Sequence, residues 1–268
     1  MAQNDVAVII PNYNNALYIE ECINSILNQS YPVKEIVVYD DCSTDGSAEI
    51  LKKIEKREKR VKVIYGEKNI GVSAARDVAI KATTCEYITM IDGDDFYYTV
   101  DKIENEMNVI NQCVDEGNKN CCVFSQTIKV DENGNVIGTV ERKNLNKNIR
   151  FNTITRLFGF YTPRDYIFPK STYLELGGYR YDMNLYEDWE LNLRLMSRCQ
   201  FVFSGGIGTA YRQKKGGLSK TSGKRHLEAK IEAIKSNEEL LHYSIIEKVV
   251  FYSLAYINYF RKILKGQK

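Results

Sequence analysis

Short apolar runs alternate with helical patterns through the first half of the chain, and this alternation is the feature that most restricts the fold. Four short runs with strand character predict buried strands, at residues 6–10, 35–39, 61–65 and 87–91. The segments between them predict helices, at residues 17–27, 47–59 and 72–82. Such alternation favours an α/β fold, with a mostly parallel sheet that is covered by helices on both faces.

Polar side chains follow three of the predicted strands at the point where each strand ends. They form the clusters at residues 11–14, 40–43 and 92–95. Because ligands of open parallel sheets bind beyond the carboxyl ends of the strands, we expect the three clusters to converge on one rim.

The second half of the chain is less regular. Residues 122–131, followed by Asn133 and Gly134, predict a β-hairpin. Residues 187–198 predict an amphipathic helix, and residues 204–223, which are rich in glycine, lysine and serine, predict a loop.

Composition limits the class of protein. With 268 residues, 44% of them hydrophobic, the chain is long enough for one large α/β domain or two small ones. The seven cysteines include no CxxC pair, so neither zinc spacing nor a disulfide framework is indicated, and a reducing cytoplasmic compartment is expected. The first apolar run is short and is followed directly by Pro11, which is not the pattern of a signal peptide.

Charge is unevenly distributed along the chain. Residues 211–268 hold 13 lysines and arginines against 5 glutamates, whereas the first 210 residues hold 24 bases and 30 acids. A basic tail on an acidic body suggests an anionic partner surface, and no nucleic-acid-binding motif is present. Apolar residues recur at helical spacing over 246–264, beside Arg261 and Lys262. This pattern predicts a helix that either lies on a membrane surface or packs on protein, including a second copy of the chain.

Asp92, Asp94 and Asp95 crowd together directly after a predicted buried strand. Two like charges ~4 Å apart cost about 4 kcal/mol at an effective dielectric constant near ~20. A divalent ion such as Mg²⁺ or Mn²⁺, which prefers oxygen ligands, would remove this repulsion. The alternative is a solvated turn rich in aspartate.

Other polar groups at the predicted rim suit a nucleotide. Asp41 can accept a hydrogen bond from a base or a ribose, or instead cap the following helix, and Tyr13 can stack on a base. Lys68 and Arg76 supply cations suited to a diphosphate.

Glu187 and Asp188 open the helix predicted at 187–198. A carboxylate at a helix N-terminus is favoured by the helix dipole and stays ionised, which suits a general base. The alternative role is simple helix capping.

Together these segments resemble family 2 of the inverting nucleotide-sugar glycosyltransferases, which have the GT-A fold. The resemblance lies in the opening strand and helix (6–32), EIVVYDDCSTDGS (35–47), NIGVSAARDVAIKA (69–82), IDGDD (91–95), LGGYR (176–180) and YEDWELNLRL (186–195). Cys42 stands where the family usually has glycine, and Asp77 where it has asparagine.

The resemblance implies a role for each matching residue. Pro11, Tyr13 and Asp41 would hold the base. Arg76 would lie near the diphosphate, to which Lys68 is the other candidate cation. Asp92 would contact ribose or sugar, and Asp94, with Asp95, would ligate Mn²⁺ or Mg²⁺. Asp188 would be the catalytic base, supported by Glu187.

The chain departs from the family pattern at one further position. The family often has a histidine two residues after Tyr-Arg, where this chain has Lys214. A charged lysine cannot ligate a metal, but its ammonium could meet the diphosphate. The Gln-x-x-Arg-Trp segment of processive synthases is absent, so transfer of one sugar per encounter is expected.

The expected organisation is a GT-A domain over residues 1–223 with a helical, basic extension over 224–268. Within the domain, residues 1–98 would bind the nucleotide sugar and 99–223 the acceptor. The expected reaction moves a hexose, with inversion, from a UDP sugar to a saccharide or lipid-linked acceptor in bacterial surface polysaccharide assembly. The alternatives are a sugar-nucleotide nucleotidyltransferase and a non-catalytic nucleotide-sugar-binding module.

Overall fold

The computed structural model describes residues 4–140, 149–157, 165–183, 185–214 and 222–264. Its elements follow one another along the chain as β1 (Val6–Asn12), α1 (Ile19–Leu27), β2 (Glu35–Asp40), α2 (Ser47–Arg57), β3 (Val61–Tyr65), α3 (Val72–Ala82), β4 (Tyr87–Met90), β5 (Phe96–Tyr97), α4 (Lys102–Asp115), β6 (Cys121–Val130), β7 (Val136–Val140), α5 (Ile149–Leu157), β8 (Phe168–Pro169), α6 (Lys170–Glu175), α7 (Glu187–Met196), β9 (Gln200–Arg212), α8 (Gly223–Lys235), α9 (Glu238–Leu241) and α10 (Ile245–Leu264). The four strands predicted in the first half are confirmed to within two residues.

The main sheet has five strands in the order β3-β2-β1-β4-β8. Strands β1 to β4 are parallel to one another, and only β8 is antiparallel. Since parallel strands end at the same edge, β1, β2 and β4 deliver the residues that follow them to one rim.

Helices cover both faces of this sheet, as the sequence predicts. Alternate residues of β1 point to opposite sides. Val6, Val8 and Ile10 pack with α1, α2 and α4 in one core. Ala7 and Ile9 pack with α3, α6 and α7 in the other.

A second sheet of four strands, in the order β5-β9-β6-β7, extends the fold beyond β4. The predicted hairpin is confirmed, because β6 and β7 pair antiparallel around Asn133 and Gly134. The loop predicted at 204–223 is wrong over its first part: residues 204–212 belong to β9, which pairs in parallel with β6. Residues 215–221 of that segment lie outside the described residues.

Helices α8 and α10 pack on α5 and α7 through a third apolar core. This core includes Leu227, Phe251 and Ala255 of the C-terminal helices and Trp189 and Leu193 of α7. The predicted C-terminal helical extension is therefore attached directly to the helix that begins with Glu187 and Asp188. None of the helices among the described residues combines the length and the apolar character needed to cross a membrane.

Candidate active site

Side chains at the ends of β1 and β2 form a hydrogen-bonded chain along the rim. Asn12 donates to the Asp40 carboxylate over 2.7 Å, and Asn15 donates to Asn12 over 3.4 Å. Lys214, just past the end of β9, donates to Asn15 over 3.0 Å. The chain of contacts thus joins the first polar cluster to the second and continues to Lys214.

Asp41 is buried, and its carboxylate accepts hydrogen bonds from backbone N–H groups. Its two carboxylate oxygens accept from the N–H groups of Ile70 and Gly71, over 2.6 and 2.9 Å, at the start of α3. A carboxylate has about four lone-pair sites, so these bonds leave acceptor capacity. Helix capping at Ser47, the alternative role for Asp41, is instead performed by Asp45, which accepts from the Ser47 N–H.

The other residues expected to hold the nucleotide lie on the same side of the sheet. Pro11 is buried within β1, beside Tyr39 of β2. Tyr13 follows β1 and is 49% exposed, so its ring is accessible to a planar partner. Lys68 is exposed in the connection between β3 and α3.

The acidic turn after β4 is compact. One oxygen from each of Asp92, Asp94 and Asp95 lies within 4.8 Å of the others. Gly93 is required here by space, since a Cβ at this position would come within 2.8 Å of the Asn12 side-chain oxygen. Asp95 is 2% exposed and accepts from the backbone N–H of Arg212 over 2.8 Å.

Two cations at the end of β9 stabilise this turn. Lys214 contacts Asp94 at 2.6 Å. The guanidinium of Arg212 donates to the carbonyls of Asp94 (2.8 Å) and Glu132 (2.9 Å) and pairs with Glu21. Because Arg212 is almost fully buried, it fixes the backbone of the acidic turn, whereas Lys214 contacts only side chains.

Arg76 joins the acidic turn to α7. This buried side chain donates to Asp92 over 2.5 Å and to Glu187 over 3.0 Å. Burial disfavours its charge, but the nearby carboxylates, Asp92 first, outweigh that effect and raise the pKa of Arg76 well above its usual value. Arg76 therefore stays charged and neutralises two acids that lie far apart in sequence.

Helix α7 begins with a strained residue followed by two acids. Tyr186 has φ = 62°, a conformation that a bulky side chain seldom adopts and that is typical of functional sites. Burial and the neighbouring Asp188 raise the pKa of Glu187, despite its pairing with Arg76. Asp188 accepts from its neighbour Trp189 through one oxygen over 2.7 Å.

A small pocket brings these elements together. Its lining consists of Arg76, Met90, Ile91, Asp92, Asp165, Tyr179 and Asp188. Asp92 and Asp188, 96 positions apart in the sequence, thus face one cavity with Arg76 between them. The structure brings together the predicted base, the predicted sugar-binding acid and the predicted diphosphate cation.

The acidic turn fits a hard divalent cation. Three carboxylates offer oxygens within 4.8 Å of one another, and such ions commonly use one or two carboxylates, with water and substrate phosphates as further ligands. Asp94 and Asp95, with Asp92 beside them, are therefore the residues that would hold Mn²⁺ or Mg²⁺. The ammonium of Lys214 lies at one of these carboxylates, that of Asp94, and must be accommodated or displaced.

The sequence prediction gives no role to several polar residues of the site, among them Arg212, Asp165 and Tyr179. Arg212 fixes the acidic turn, and Asp165 and Tyr179 line the pocket. Arg212 could have been found, since it stands in the Tyr-Arg pattern of the family. Asp165 carries no sequence pattern that would single it out.

A buried acid positions the segment before α7. Asp77, which replaces the family's asparagine, accepts from the hydroxyls of Tyr173 (2.7 Å) and Tyr181 and pairs with Lys81. Gly178 leaves room for it, because a Cβ there would come within 2.7 Å of the Asp77 carboxylate. The departure from the family pattern thus has a structural explanation.

An α/β fold with an acidic turn after β4 and a carboxylate-bearing helix at the same rim defines the GT-A class of nucleotide-sugar enzymes. Residues 7–180 match the family described as glycosyl transferase family 2. The chain belongs to this family, as its motifs predict.

Curated relatives support the assignment over part of their length. A putative teichuronic acid biosynthesis glycosyltransferase, TuaG of Bacillus subtilis, is 38% identical over 122 residues, which cover 46% of this chain and 45% of TuaG. Chondroitin synthase of Escherichia coli is 33% identical over 135 residues, 49% of this chain and 18% of the synthase. The chain thus matches less than half the length of these relatives.

Solved structures share the fold. Residues 1–349 of S. aureus TarS in complex with UDP align with a TM-score of 0.66 and 20% identity, covering 94% of this chain and 69% of that TarS segment. The mannosyltransferase PcManGT of Pyrobaculum calidifontis, in complex with GDP-Man and Mn²⁺, aligns with a TM-score of 0.62 and 17% identity, covering 96% and 70%. These likenesses confirm the GT-A fold expected from the sequence.

Proposed function

We propose that the protein is an inverting, metal-dependent glycosyltransferase that moves one hexose from a nucleotide sugar to an acceptor hydroxyl. The observation that carries this proposal is the pocket in which Asp92, Arg76 and Asp188 meet. Residues 1–98 would bind the nucleotide sugar and residues 99–223 the acceptor. Family membership supports glycosyl transfer in general, and the arrangement of the pocket supports the particular mechanism.

In this mechanism, Asp188 takes the proton of the acceptor hydroxyl as that oxygen attacks the anomeric carbon. One oxygen of Asp188 is held by the Trp189 N–H, so the carboxylate is oriented before the acceptor binds. Glu187 holds Arg76 close to the reacting centre. The departing diphosphate takes its positive partners from Arg76, Lys68 and Lys214, and electrostatic stabilisation of this kind is usually the largest catalytic term.

A divalent ion at Asp94 and Asp95 would supply further positive charge for the leaving diphosphate. We propose Mn²⁺ or Mg²⁺ for this role on the chemistry of the three carboxylates. One structural neighbour is in complex with Mn²⁺, in agreement with this choice.

The proposed donor is a UDP-hexose. Tyr13 would stack on the base, and Pro11 and Asp41 would contact the base or the ribose. The complex of TarS with UDP, and that of the same protein with UDP-GlcNAc, support a uridine nucleotide. The complex of PcManGT with GDP-Man makes guanosine the natural competitor in a test.

The proposed acceptor is a saccharide or lipid-linked saccharide in bacterial surface polysaccharide assembly. TuaG and chondroitin synthase are relatives whose names place them in polysaccharide synthesis. We propose a cytoplasmic enzyme, since nucleotide sugars are intracellular donors, and one sugar transferred per encounter.

Helix α10 carries the features of a membrane-surface helix, and we propose that it lies on an anionic lipid bilayer. One face packs on the third core through Phe251 and Ala255, yet the opposite face is also apolar. That face exposes Ile246, Val249, Val250, Tyr256, Ile257, Phe260 and Leu264, with exposed fractions from 41% to 87%. Residues 248–268 contain five lysines and arginines and no acid, which complements an anionic surface.

Vesicle sedimentation tests this surface. The protein should bind vesicles that contain phosphatidylglycerol and bind neutral vesicles more weakly, and Phe260→Asp should abolish binding. Ile137→Asp, at an exposed apolar position of β7, is the matched control and should bind normally. A concentration-dependent dimer that Phe260→Asp dissolves, without vesicle binding, would show that a second copy covers α10 instead.

A panel of nucleotide sugars, measured by thermal shift with and without Mn²⁺, tests the reaction class. A ligand that binds only the folded protein stabilises it, so the correct donor should raise the melting temperature more than other donors do. Slow donor hydrolysis with metal would contradict the non-catalytic binding module. Release of pyrophosphate from a nucleoside triphosphate and a sugar phosphate would identify a nucleotidyltransferase and contradict glycosyl transfer.

A further inference from the structure

Lys214 supplies a positive charge to the three clustered carboxylates of the acidic turn. Its ammonium contacts the Asp94 carboxylate at 2.6 Å and the Asn15 side-chain oxygen at 3.0 Å. It also lies 5.4 Å from the centre of the Tyr18 ring. The side chain is 30% exposed, so one side of it faces solvent rather than protein.

Arg212, two residues earlier, provides an instructive contrast. Its guanidinium binds backbone carbonyls and is 2% exposed, which makes it a fixed part of the turn. The contacts of Lys214 are with side chains, and one of them is the carboxylate of Asp94, the residue predicted to ligate the metal. Arg212 would therefore stay in place when a metal ion binds at the acidic turn, whereas Lys214 would compete with that ion for Asp94.

An ammonium and a divalent ion compete for the carboxylate of Asp94. A doubly charged ion within ~4 Å of the ammonium is repelled by an amount that, even at the dielectric constant of water, corresponds to about 30-fold in affinity. A diphosphate at the rim gives the ammonium another anionic partner, since lysine binds phosphate well as a point charge.

We propose that Lys214 is a built-in counter-ion of Asp94, which holds the acidic turn in the free protein and opposes metal binding until a nucleotide diphosphate draws it away. This proposal rests on the proposed function, because the diphosphate is that of the donor. Lys214 then has two partners in succession, first Asp94 and then the diphosphate. By linkage, nucleotide and metal must each strengthen the binding of the other.

Binding of Mn²⁺ to the nucleotide-free protein tests the proposal without reference to activity. Free Mn²⁺ is counted by electron paramagnetic resonance for the wild type, Lys214→Met and Lys214→Arg. Lys214→Met should bind Mn²⁺ about tenfold or more tightly than the wild type, whereas Lys214→Arg, which keeps the charge, should stay weak. Lys53→Met, at an exposed position of α2, controls for the loss of one positive charge and should match the wild type.

A second measurement adds UDP. UDP should strengthen Mn²⁺ binding to the wild type more than it does for Lys214→Met, because only the wild type has an ammonium to remove from Asp94. Thermal melting of each variant shows that it is folded, which is expected since Lys214 is partly exposed.

The outcomes separate this proposal from the proposed function. Equal or weaker Mn²⁺ binding by Lys214→Met, or no binding by any variant, would overturn the counter-ion. If no nucleotide stabilises any variant, the proposed function fails, and the comparison of Mn²⁺ affinities still decides what Lys214 does.

Discussion

Two clusters of acidic and basic side chains in this protein contain similar groups but differ in their exposure to solvent. The rim cluster comprises Asp92, Asp94, Arg76, Glu187 and Lys214, and its carboxylates pair with side chains that reach in from other elements. The buried cluster lies under the second sheet and is built around Lys102 and Glu106 of α4, which are 1% and 0% exposed.

The buried cluster satisfies its groups internally. Lys102 donates to Glu106 over 2.8 Å and to Thr89 and the carbonyl of Asp165 over 3.2 Å each. Ser125 donates to the other oxygen of Glu106 over 2.6 Å. A pair enclosed in this way has no access for a ligand, so its effect is on the stability and positioning of the fold.

The rim cluster, by contrast, remains partly open. The Asp92 and Asp94 side chains are 25% and 22% exposed, and Asp188 borders a cavity. Solvent exposure therefore distinguishes the carboxylates that a substrate can contact from those that only stabilise the fold. Substitutions in the two clusters should separate activity from stability.

Asp188→Asn should have the largest effect. Asparagine keeps an oxygen for the Trp189 N–H but cannot take a proton, so kcat should fall by about 10³-fold or more while the melting temperature stays within a few degrees. Donor affinity, measured by calorimetry, should be nearly unchanged. Equal losses of transfer and donor binding would show that Asp188 is structural.

Glu106→Ala should show the opposite behaviour. It removes the group that accepts from the buried ammonium of Lys102, and such a loss typically costs about 3–5 kcal/mol of the free energy of unfolding. Chemical denaturation measures this loss, and kcat per folded molecule should stay within about twofold. A large loss of kcat in a stable variant would mean that the buried cluster participates in the reaction.

The buried cluster should also give stability a pH dependence. Burial raises the pKa of Glu106 to about 7, above the value of 4.5 for an exposed glutamate. The folded state therefore keeps this proton to higher pH than the unfolded state, and stability falls as pH rises between those values. The contribution lost between pH 5 and 7 is about 2 kcal/mol, and the comparison of wild type with Glu106→Gln should show it. If the free energies of unfolding of the wild type and Glu106→Gln change in parallel with pH, the raised pKa of Glu106 is contradicted.

Arg76→Lys should have a smaller effect, confined to the rim. A lysine cannot hold Asp92 and Glu187 with one planar fork, so the donor should bind about tenfold more weakly, with a smaller loss of stability. Lys81→Met, on the same helix and paired with Asp77, is a control that should leave donor affinity unchanged. Unchanged donor binding by Arg76→Lys would remove Arg76 from the diphosphate site.

The sequence allowed the first half of the fold to be predicted because β1, β2 and β4 are buried along their whole length and contain continuous apolar runs. The edge strand β3 is only partly buried. Strand β9 was mistaken for a loop, since its Gly205, Gly206 and Gly208 resemble turn residues and its pairing with β6 depends on residues about 80 positions away. Tertiary pairing of that kind leaves no local signal.

In the candidate site, too, features with a local sequence signal could be predicted and those that depend on tertiary contacts could not. Its acids could be predicted because they follow strand ends, whereas their partners could not. The buried cluster outside the site was not predicted either, since Lys102 and Glu106, at i and i+4 of a helix, have the pattern of a solvated face. The pairing of Arg76 with Glu187 depends on how α7 docks against the rim, which no short pattern encodes.

The central claim is that a divalent cation and a nucleotide diphosphate bind together at the acidic turn, within reach of Asp188. Crystals soaked with UDP and Mn²⁺ test it directly, through the anomalous signal of manganese. The account predicts one manganese peak at the carboxylates of Asp94 and Asp95, with the diphosphate next to it and the base beside Tyr13. A diphosphate bound on another face of the sheet, or manganese away from Asp92, Asp94 and Asp95, would contradict it.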